Sequence, residues 1–359
     1  MFRGALEAAE MHDIPHEVLD AAELRRRYPA YVGFEPSTRV VWQPDGGFLL
    51  AERTILAHVN GALAAGADLR FREGVVSWEP TADGGVRVVS ERGTYEAGRL
   101  VICAGAWARH LVPRLADLAM PEREVLAWLQ PDRPELFEPD RFPLFLVDVP
   151  EGSYYGFPVH DVPGFKFGWY HHFREPMEPD DPDRSTRPDD EAALRSFAER
   201  YFLDGAGPTI MLKACMFTNS PDEHFLIDRL ADAPQVSVAA GFSGHGYKFC
   251  SVVGEIMPTS PCMVRPRTTS VSSGCRASQD RSLRPDRNEV VDNFGGHTPS
   301  ELPAERPTIR VGPASLFRSC WTTAIIFFTG IRRVPSNDPT VAGVRRHRAV
   351  GIVRGTAPA

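Results

Sequence analysis

The sequence predicts a mixed α/β protein, in which part of a doubly wound parallel sheet is joined to a largely antiparallel sheet. Three observations carry that reading. Leu100-Val101-Ile102-Cys103-Ala104-Gly105 is a continuous apolar run that ends in small residues, the pattern of a buried strand feeding a turn. A second such run, residues 236–240, leads into a turn holding Gly241, Ser243, Gly244 and Gly246, and then into a helix-compatible stretch at 250–257. Between the two, from about residue 114, the chain turns rich in proline and aromatic residues and carries short strand-like runs.

Taken in order, residues 1–28 read as short helices. Asp20 is the N-cap of one of them, Glu23 its reciprocal partner three residues on, and Arg25, Arg26 and Arg27 suit its C-terminal end. Val40-Val41-Trp42 is extended. After the Asp45-Gly46-Gly47 turn, residues 48–65 run in helical rhythm through Leu49, Leu50, Ile55, Leu56, Val59 and Leu63 until Gly66 stops them. Short strands follow at 68–72, 74–79, 86–90 and 94–97, with Asp83-Gly84-Gly85 as a hairpin turn. Further strands are expected at 124–129, 142–147, 153–157, 164–169 and 210–217. Residues 176–190 read as a hydrophilic loop, and 191–202 as a helix with Ala192, Leu194, Phe197 and Tyr201 inward. Beyond Met257 the chain is arginine-rich, has no lysine, and holds three of the six cysteines. Propensity, pattern and turn chemistry disagree there, so 258–359 is expected to be an atypical, mostly disordered tail, with 319–330 as its exception.

A length of 359 residues suits two domains with real cores. A formal net charge of −7 argues against a general nucleic-acid binder. Six cysteines with no CxxC pair fit a reducing, cytoplasmic setting. The first residues lack the apolar core of a signal peptide, and the longest apolar stretch, 322–330, is too short to span a bilayer. His171 and His172 are adjacent and no ligand type repeats at metal-binding spacing, so no metal site is expected. Of 40 Lys and Arg residues only Lys166, Lys213 and Lys248 are lysines, and Lys248 lies in the glycine-rich turn, where a compact, pKa-adjustable charge is useful. Read without further context, that turn is equally an ordinary strand–loop–helix connection.

Two longer stretches go further. Residues 215–222 read CMFTNSPD, and residues 241–249 read GFSGHGYKF. With Lys166 in Gly164-Phe165-Lys166-Phe167-Gly168, they make residues 4–257 resemble the monomeric sarcosine oxidase and N-methyltryptophan oxidase family, flavin-dependent amine oxidases of the D-amino-acid-oxidase-like superfamily. The resemblance implies an incomplete FAD-binding, Rossmann-like domain plus an antiparallel-sheet substrate domain. Residues 1–45 and 114–225 would then belong to the substrate domain, and 46–113 and 226–257 to the FAD-binding one. It implies FAD bound covalently through Cys215, for which Cys103 and Cys250 have no match. It also implies a dioxygen-activating role for Lys166, a contact of Lys248 with the substrate carboxylate, and backbone of Gly241, Phe242, Gly244, His245 and Gly246 against the flavin. The substrate would be a small amino or imino acid, oxidised at a secondary amine or N-methyl group with release of hydrogen peroxide by a monomer. The structural alternatives are Cys215 as a core thiol and Lys166 as a surface lysine.

Two positions depart from the family pattern. Phe217 stands where sarcosine oxidase has tyrosine, which removes a phenolic hydrogen bond from the substrate pocket. The segment after Lys166 is one residue longer before histidine, which places His171 near the active site in a shifted register. The family's GxGxxG turn and ribose-binding acidic residue precede the helix on which this chain begins, and no GxGxxG occurs anywhere in it. A sheet without its central strands is therefore expected. So is the alternative function, a catalytically inactive flavoenzyme fragment.

Overall fold

A computed structural model describes residues 2–181 and 183–257 together with three short strands at 325–329, 332–334 and 351–355. The chain opens with α1 (Phe2–Met11), β1 (Glu17–Asp20), α2 (Ala21–Arg27), β2 (Arg39–Trp42) and α3 (Ala51–Ala64). The strands β3 (Asp68–Arg70), β4 (Val75–Pro80), β5 (Val86–Ser90), β6 (Gly93–Ala97) and β7 (Arg99–Cys103) come next, then a short α4 (Ala108–Leu111). The middle of the chain supplies β8 (Met120–Leu129), β9 (Phe145–Val149), β10 (Gly152–Phe157), β11 (Phe165–Trp169), β12 (Glu175–Pro176), α5 (Pro188–Tyr201) and β13 (Thr209–Asn219). It closes with β14 (Leu226–Leu230), β15 (Ala233–Ala240) and α6 (Cys250–Ile256), followed by β16 (Ile325–Thr329), β17 (Arg332–Val334) and β18 (Gly351–Gly355).

These strands form one antiparallel sheet, one mixed sheet and a meander, besides the small β1–β2 pair. In the antiparallel sheet β8 is central, with β13 on one edge and β11, β10 and β9 in succession on the other. The mixed sheet runs β14-β15-β7-β16-β18-β3, with β15 parallel to β7. The two apolar runs that predicted a parallel pair are thus neighbours, and Leu100, Ile102, Val236 and Val238 are buried together between the sheet and the meander.

Three readings change, and one helix forms where expected but uncovered. Residues 17–20 are a strand, because Val18 and Leu19 pair with Val41 and Val40 across β1–β2. Asp20 does cap α2, accepting from the Glu23 amide at 2.8 Å, but the Glu23 carboxylate turns to Arg26 and Arg27 instead of closing the reciprocal bond. The helix α3 forms with no buried residue, leaving Leu56 and Leu63 more than half exposed. The place beside β7 is taken by β16, which lies antiparallel to it and parallel to β18. The expected disorder of 258–359 otherwise falls outside the described residues.

The second core is aromatic. Phe137, Phe142, Phe165, Phe167 and Phe202 are fully buried, and Tyr154 stacks on Phe197 with ring centroids 3.7 Å apart. Tyr31 joins them from the N-terminal region, stacking on Phe142 and donating its hydroxyl to the Pro143 carbonyl. Beneath this core lies a buried ionic network. Arg123 of β8 donates twice to Asp190 of α5, at 2.9 and 2.7 Å, and once to the Ser185 carbonyl. His172 Nε2 reaches Asp190 Oδ1 at 2.8 Å, and the Arg187 amide donates to Asp190 Oδ2. The loop read as hydrophilic therefore leads to a carboxylate that is wholly enclosed.

Burial pushes the Asp190 carboxyl up, but its bonds to Arg123, the Arg187 amide and His172 outweigh it and hold the pKa well below the usual 3.8. A depressed acid stabilises the fold above its unfolded pKa, and that contribution is lost as pH falls through the folded value. Removing the carboxylate strands a buried guanidinium, so Asp190→Ala is expected to cost about 3–5 kcal/mol. Denaturant titration checks this. Asp190→Asn should in addition flatten the loss of stability that wild type shows on acidification below about pH 4.

Candidate functional site

Side chains alternate along β8. Val125, Ala127 and Leu129 enter the aromatic core, which leaves Glu122, Glu124, Leu126 and Trp128 on the other face. Register carries that face across the sheet. Glu122 lies opposite Phe217, Glu124 opposite Cys215, Leu126 opposite Lys213, and Trp128 opposite both Met211 and Lys166. Directly opposed residues share a side of the sheet. Cys215, Phe217, Lys166 and Lys213 therefore stand on one surface.

Lys166 lies over two ring faces, 5.1 Å from the Trp128 centroid and 5.2 Å from that of Phe157, and makes no ion pair among the described residues. An ammonium held by aromatic quadrupoles keeps its charge without a carboxylate to cancel it. Cys215 is half-buried on the strand. Cys103 is also half-buried, and desolvation pushes its thiol up to about 12, which removes it as a nucleophile at neutral pH.

The glycine turn after β15 covers the end of this face. Gly241 and Gly244 have φ of 62° and 74°, and a Cβ on Gly244 would come within 2.4 Å of the Phe217 ring. Only a residue without a side chain brings backbone this close. Ser243 pins the turn, its amide donating to the Thr218 carbonyl and its carbonyl accepting the Tyr170 hydroxyl. Tyr170 also packs 5.4 Å from Phe217 and 5.6 Å from Tyr155. His245 lies against Phe225 and the Glu223 carbonyl, and Phe242 packs on Phe225. Lys248 donates to the His245 carbonyl at 2.7 Å and lies over Phe249, with desolvation lowering its pKa. Its contacts among the described residues lie within its own turn, and none joins it to Lys166.

His171 sits at the rim in the left-handed conformation, with Nδ1 2.9 Å from Glu122 Oε1 and Nε2 3.1 Å from Glu223 Oε1. Glu124 is fully buried behind it, and burial together with Glu122 pushes its carboxyl up to about 9. Sequence reasoning missed Glu122, Glu124, Glu223 and Asn219, whereas Tyr170 is among the aromatic residues it offers as pocket lining. A signal existed in Glu122-Arg123-Glu124, three charges in a row at the start of an apolar strand.

A half-buried thiol, a lysine over aromatic rings and the backbone of a glycine turn thus converge on one sheet face. The FAD dependent oxidoreductase family matches residues 2–257, and the chain belongs to it. It is 41% identical over 266 residues to monomeric sarcosine oxidase of Streptomyces avermitilis, covering 71% of this chain and 67% of that one. It is 37% identical to monomeric sarcosine oxidase of Bacillus sp. strain NS-129, covering 70% of this chain and 65% of that one. Identity to N-methyl-L-tryptophan oxidase of Yersinia pestis is 33%, covering 69% and 66%. The chain thus spans about two thirds of the length of these relatives. Among solved structures, NikD, an amino acid oxidase of nikkomycin biosynthesis, shares the fold with a TM-score of 0.57 at 22% identity, covering 71% of this chain and 67% of that one. L-proline dehydrogenase from P. horikoshii does so with a TM-score of 0.57 at 17%, covering 70% and 65%. No helix of the described residues is long and apolar enough to cross a membrane.

The residues present fit the ring end of FAD: a half-buried thiol, a lysine over aromatic faces, and a left-handed glycine turn against Phe217. A methyl group at residue 244 is expected to displace the turn from Phe217, so Gly244→Ala should destabilise the protein by about 1–3 kcal/mol through its positive φ and the ring contact. Thermal denaturation measures this, and the double variant with Phe217→Ala should recover only the part due to the ring.

Proposed function

We propose that the protein oxidises a secondary amine or N-methyl amino acid, with FAD as hydride acceptor and dioxygen as terminal acceptor, releasing an imine and hydrogen peroxide. The observation that carries this reading is the convergence of Cys215, Lys166 and the 241–246 turn on one face of the antiparallel sheet. It is supported by identities of 33–41% to sarcosine and N-methyl-L-tryptophan oxidases. FAD supplies the redox chemistry when bound.

The protein's own groups then do the following. Cys215 is the residue that would hold the cofactor, through its sulfur. Bare backbone of Gly241, Phe242, Gly244, His245 and Gly246 meets the ring. Lys166, half-buried over two aromatic rings, stabilises the negative charge that develops on dioxygen. Lys248 rotates from the His245 carbonyl to bind the substrate carboxylate by a charge-assisted bond. Phe217 and Tyr170 enclose the amine substituents, and Phe217 lacks the hydroxyl that would select a small polar substrate. His171 borders the pocket. The proposed division is a substrate portion at 1–45 and 114–225 and a flavin portion at 46–113 and 226–257; the two cores support it except at Leu115 and Ala119, which pack with the flavin-side core. A monomer in a reducing cytoplasm is the setting proposed.

The absorbance spectrum of the purified protein, repeated on an acid-precipitated and washed pellet, tests the reading. Flavin bands near ~370 and ~450 nm are expected, and they should remain with the wild-type pellet but leave that of Cys215→Ser. Lys166→Met should slow reoxidation by dioxygen about 100-fold or more while anaerobic reduction by the amine changes little. A colourless protein would overturn the oxidase reading and leave a flavoenzyme relative that holds no flavin.

A further inference from the structure

Glu122, Glu124 and His171 present ligand atoms that all lie within 4.8 Å of one another. The charged run Glu122-Arg123-Glu124 is visible in the sequence but its meeting with His171 is not, because the groups come from two alternate positions of β8 and from the corner after β11, and only the fold joins them. Their hydrogen bonding is incomplete in one direction. His171 Nε2 lies 3.1 Å from Glu223 Oε1 and Nδ1 lies 2.9 Å from Glu122 Oε1. A carboxylate accepts only, so a ring carrying one proton donates to one of them and turns a lone pair on the other. Two acceptors at that distance repel unless a positive charge or a proton lies between them.

A second, independent observation points the same way. Glu124 is fully buried, yet its Oε1 has no hydrogen-bond partner, while its other oxygen receives the long His172 amide contact of 3.4 Å and the carboxyl interacts with Glu122 and the His171 backbone. Asn219, also buried, leaves its Oδ1 without a partner while its amide nitrogen lies 3.4 Å from His171 Nδ1. An amide flip would turn that oxygen toward the cluster.

We propose that Glu122, Glu124 and His171 bind one divalent cation, with the Asn219 amide oxygen as a further ligand. Two carboxylates, one imidazole and an amide oxygen form a hard, oxygen-rich donor set of the kind that suits manganese(II) and, less selectively, zinc(II). Ligands on opposite sides of an ion bonded at about 2.1 Å are about 4.2 Å apart, so the observed spread closes by small side-chain rotations. Glu223 behind His171 supplies the outer carboxylate that commonly orients a metal-bound imidazole. The ion would join β8, the left-handed corner at His171 and the turn after β13, the three pieces that frame the rim of the flavin face. The site stands on its own geometry and does not require that the chain bind flavin.

Manganese(II) titration of the purified full-length protein tests this, with the free aqua ion followed by electron paramagnetic resonance. One tightly bound equivalent is expected, together with a rise in the thermal midpoint on adding manganese. Glu124→Gln removes a ligand at nearly constant volume and should weaken binding at least ~10-fold and abolish the thermal shift. Glu223→Gln, at an exposed position, should weaken it about 10-fold through the histidine alone. Near-ultraviolet circular dichroism establishes that each variant is folded, and the Glu223 variant keeps the test decisive if the buried one is not. No bound manganese, or equal binding by wild type and a folded variant, would overturn the proposal and leave protons as what holds the cluster together.

Discussion

The Arg123–Asp190–His172 network is the constraint on which the site face depends. It is enclosed on every side, with side-chain exposures of 6%, 1% and 0%. Desolvating these groups is costly, and a buried ion pair is weak as a source of net stability against an apolar replacement. What it supplies is position. Three segments distant in sequence, the central strand, the corner after β11 and the first turn of α5, must meet for any of the three charges to be satisfied. An alternative packing that separates them leaves a bare charge in the interior.

The corner shows why such an anchor is required. His171, Phe173 and Arg174 all have positive φ, between 51° and 57°, and none is glycine. Each left-handed residue of this kind costs energy, and several in succession persist only where the surroundings over-determine them. His172 is the fixed point. Its ring is gripped from below by Asp190 and edged by Trp169, while its neighbour His171 is carried over the opposite face to meet Glu122 and Glu223. Adjacent histidines, uninformative as a pair in sequence, are thus one anchor and one site residue, separated by the strand's own two-sidedness.

Legibility follows from how local each feature is. The strand–turn–helix at 236–257 was readable because glycines, apolar run and helix are contiguous, and the structure places them as β15, the turn and α6. Likewise β5, β6 and β7 are bounded by their own turn residues. Residues 17–20 were misread because a four-residue strand has no periodicity of its own, and its partner at 39–42 decides its state. The apolar stripe of α3 was read correctly as helix, but its pattern says nothing of whether a face is covered. The acidic cluster was unreadable for a further reason. Glu122 and Glu124 share a face with Cys215 and Phe217 only through the register of β8 with β13, and a slip of one residue would send them into the aromatic core. Register is a long-range property, and motif inspection reaches the residues without reaching their pairing.

That register also separates opposite charges on one surface. Lys166 stands at the Trp128 end of β8 and the acidic cluster at the Glu122–Glu124 end, four to six residues away, or roughly 13–20 Å at strand rise. Free charges at that distance are largely screened, since the Debye length at physiological ionic strength is about 8 Å. Had the carboxylates stood two residues nearer, opposite Lys213, they would have drawn the lysine field toward themselves. Leu126 and Lys213 fill that interval instead. The lysine is thereby left to act on whatever charge forms above the aromatic rings, and the acidic rim is left to collect a cation of its own. A protein that needs both on one sheet face can keep them independent only by such spacing along the strand, because two strands side by side would put them within about 5 Å of each other.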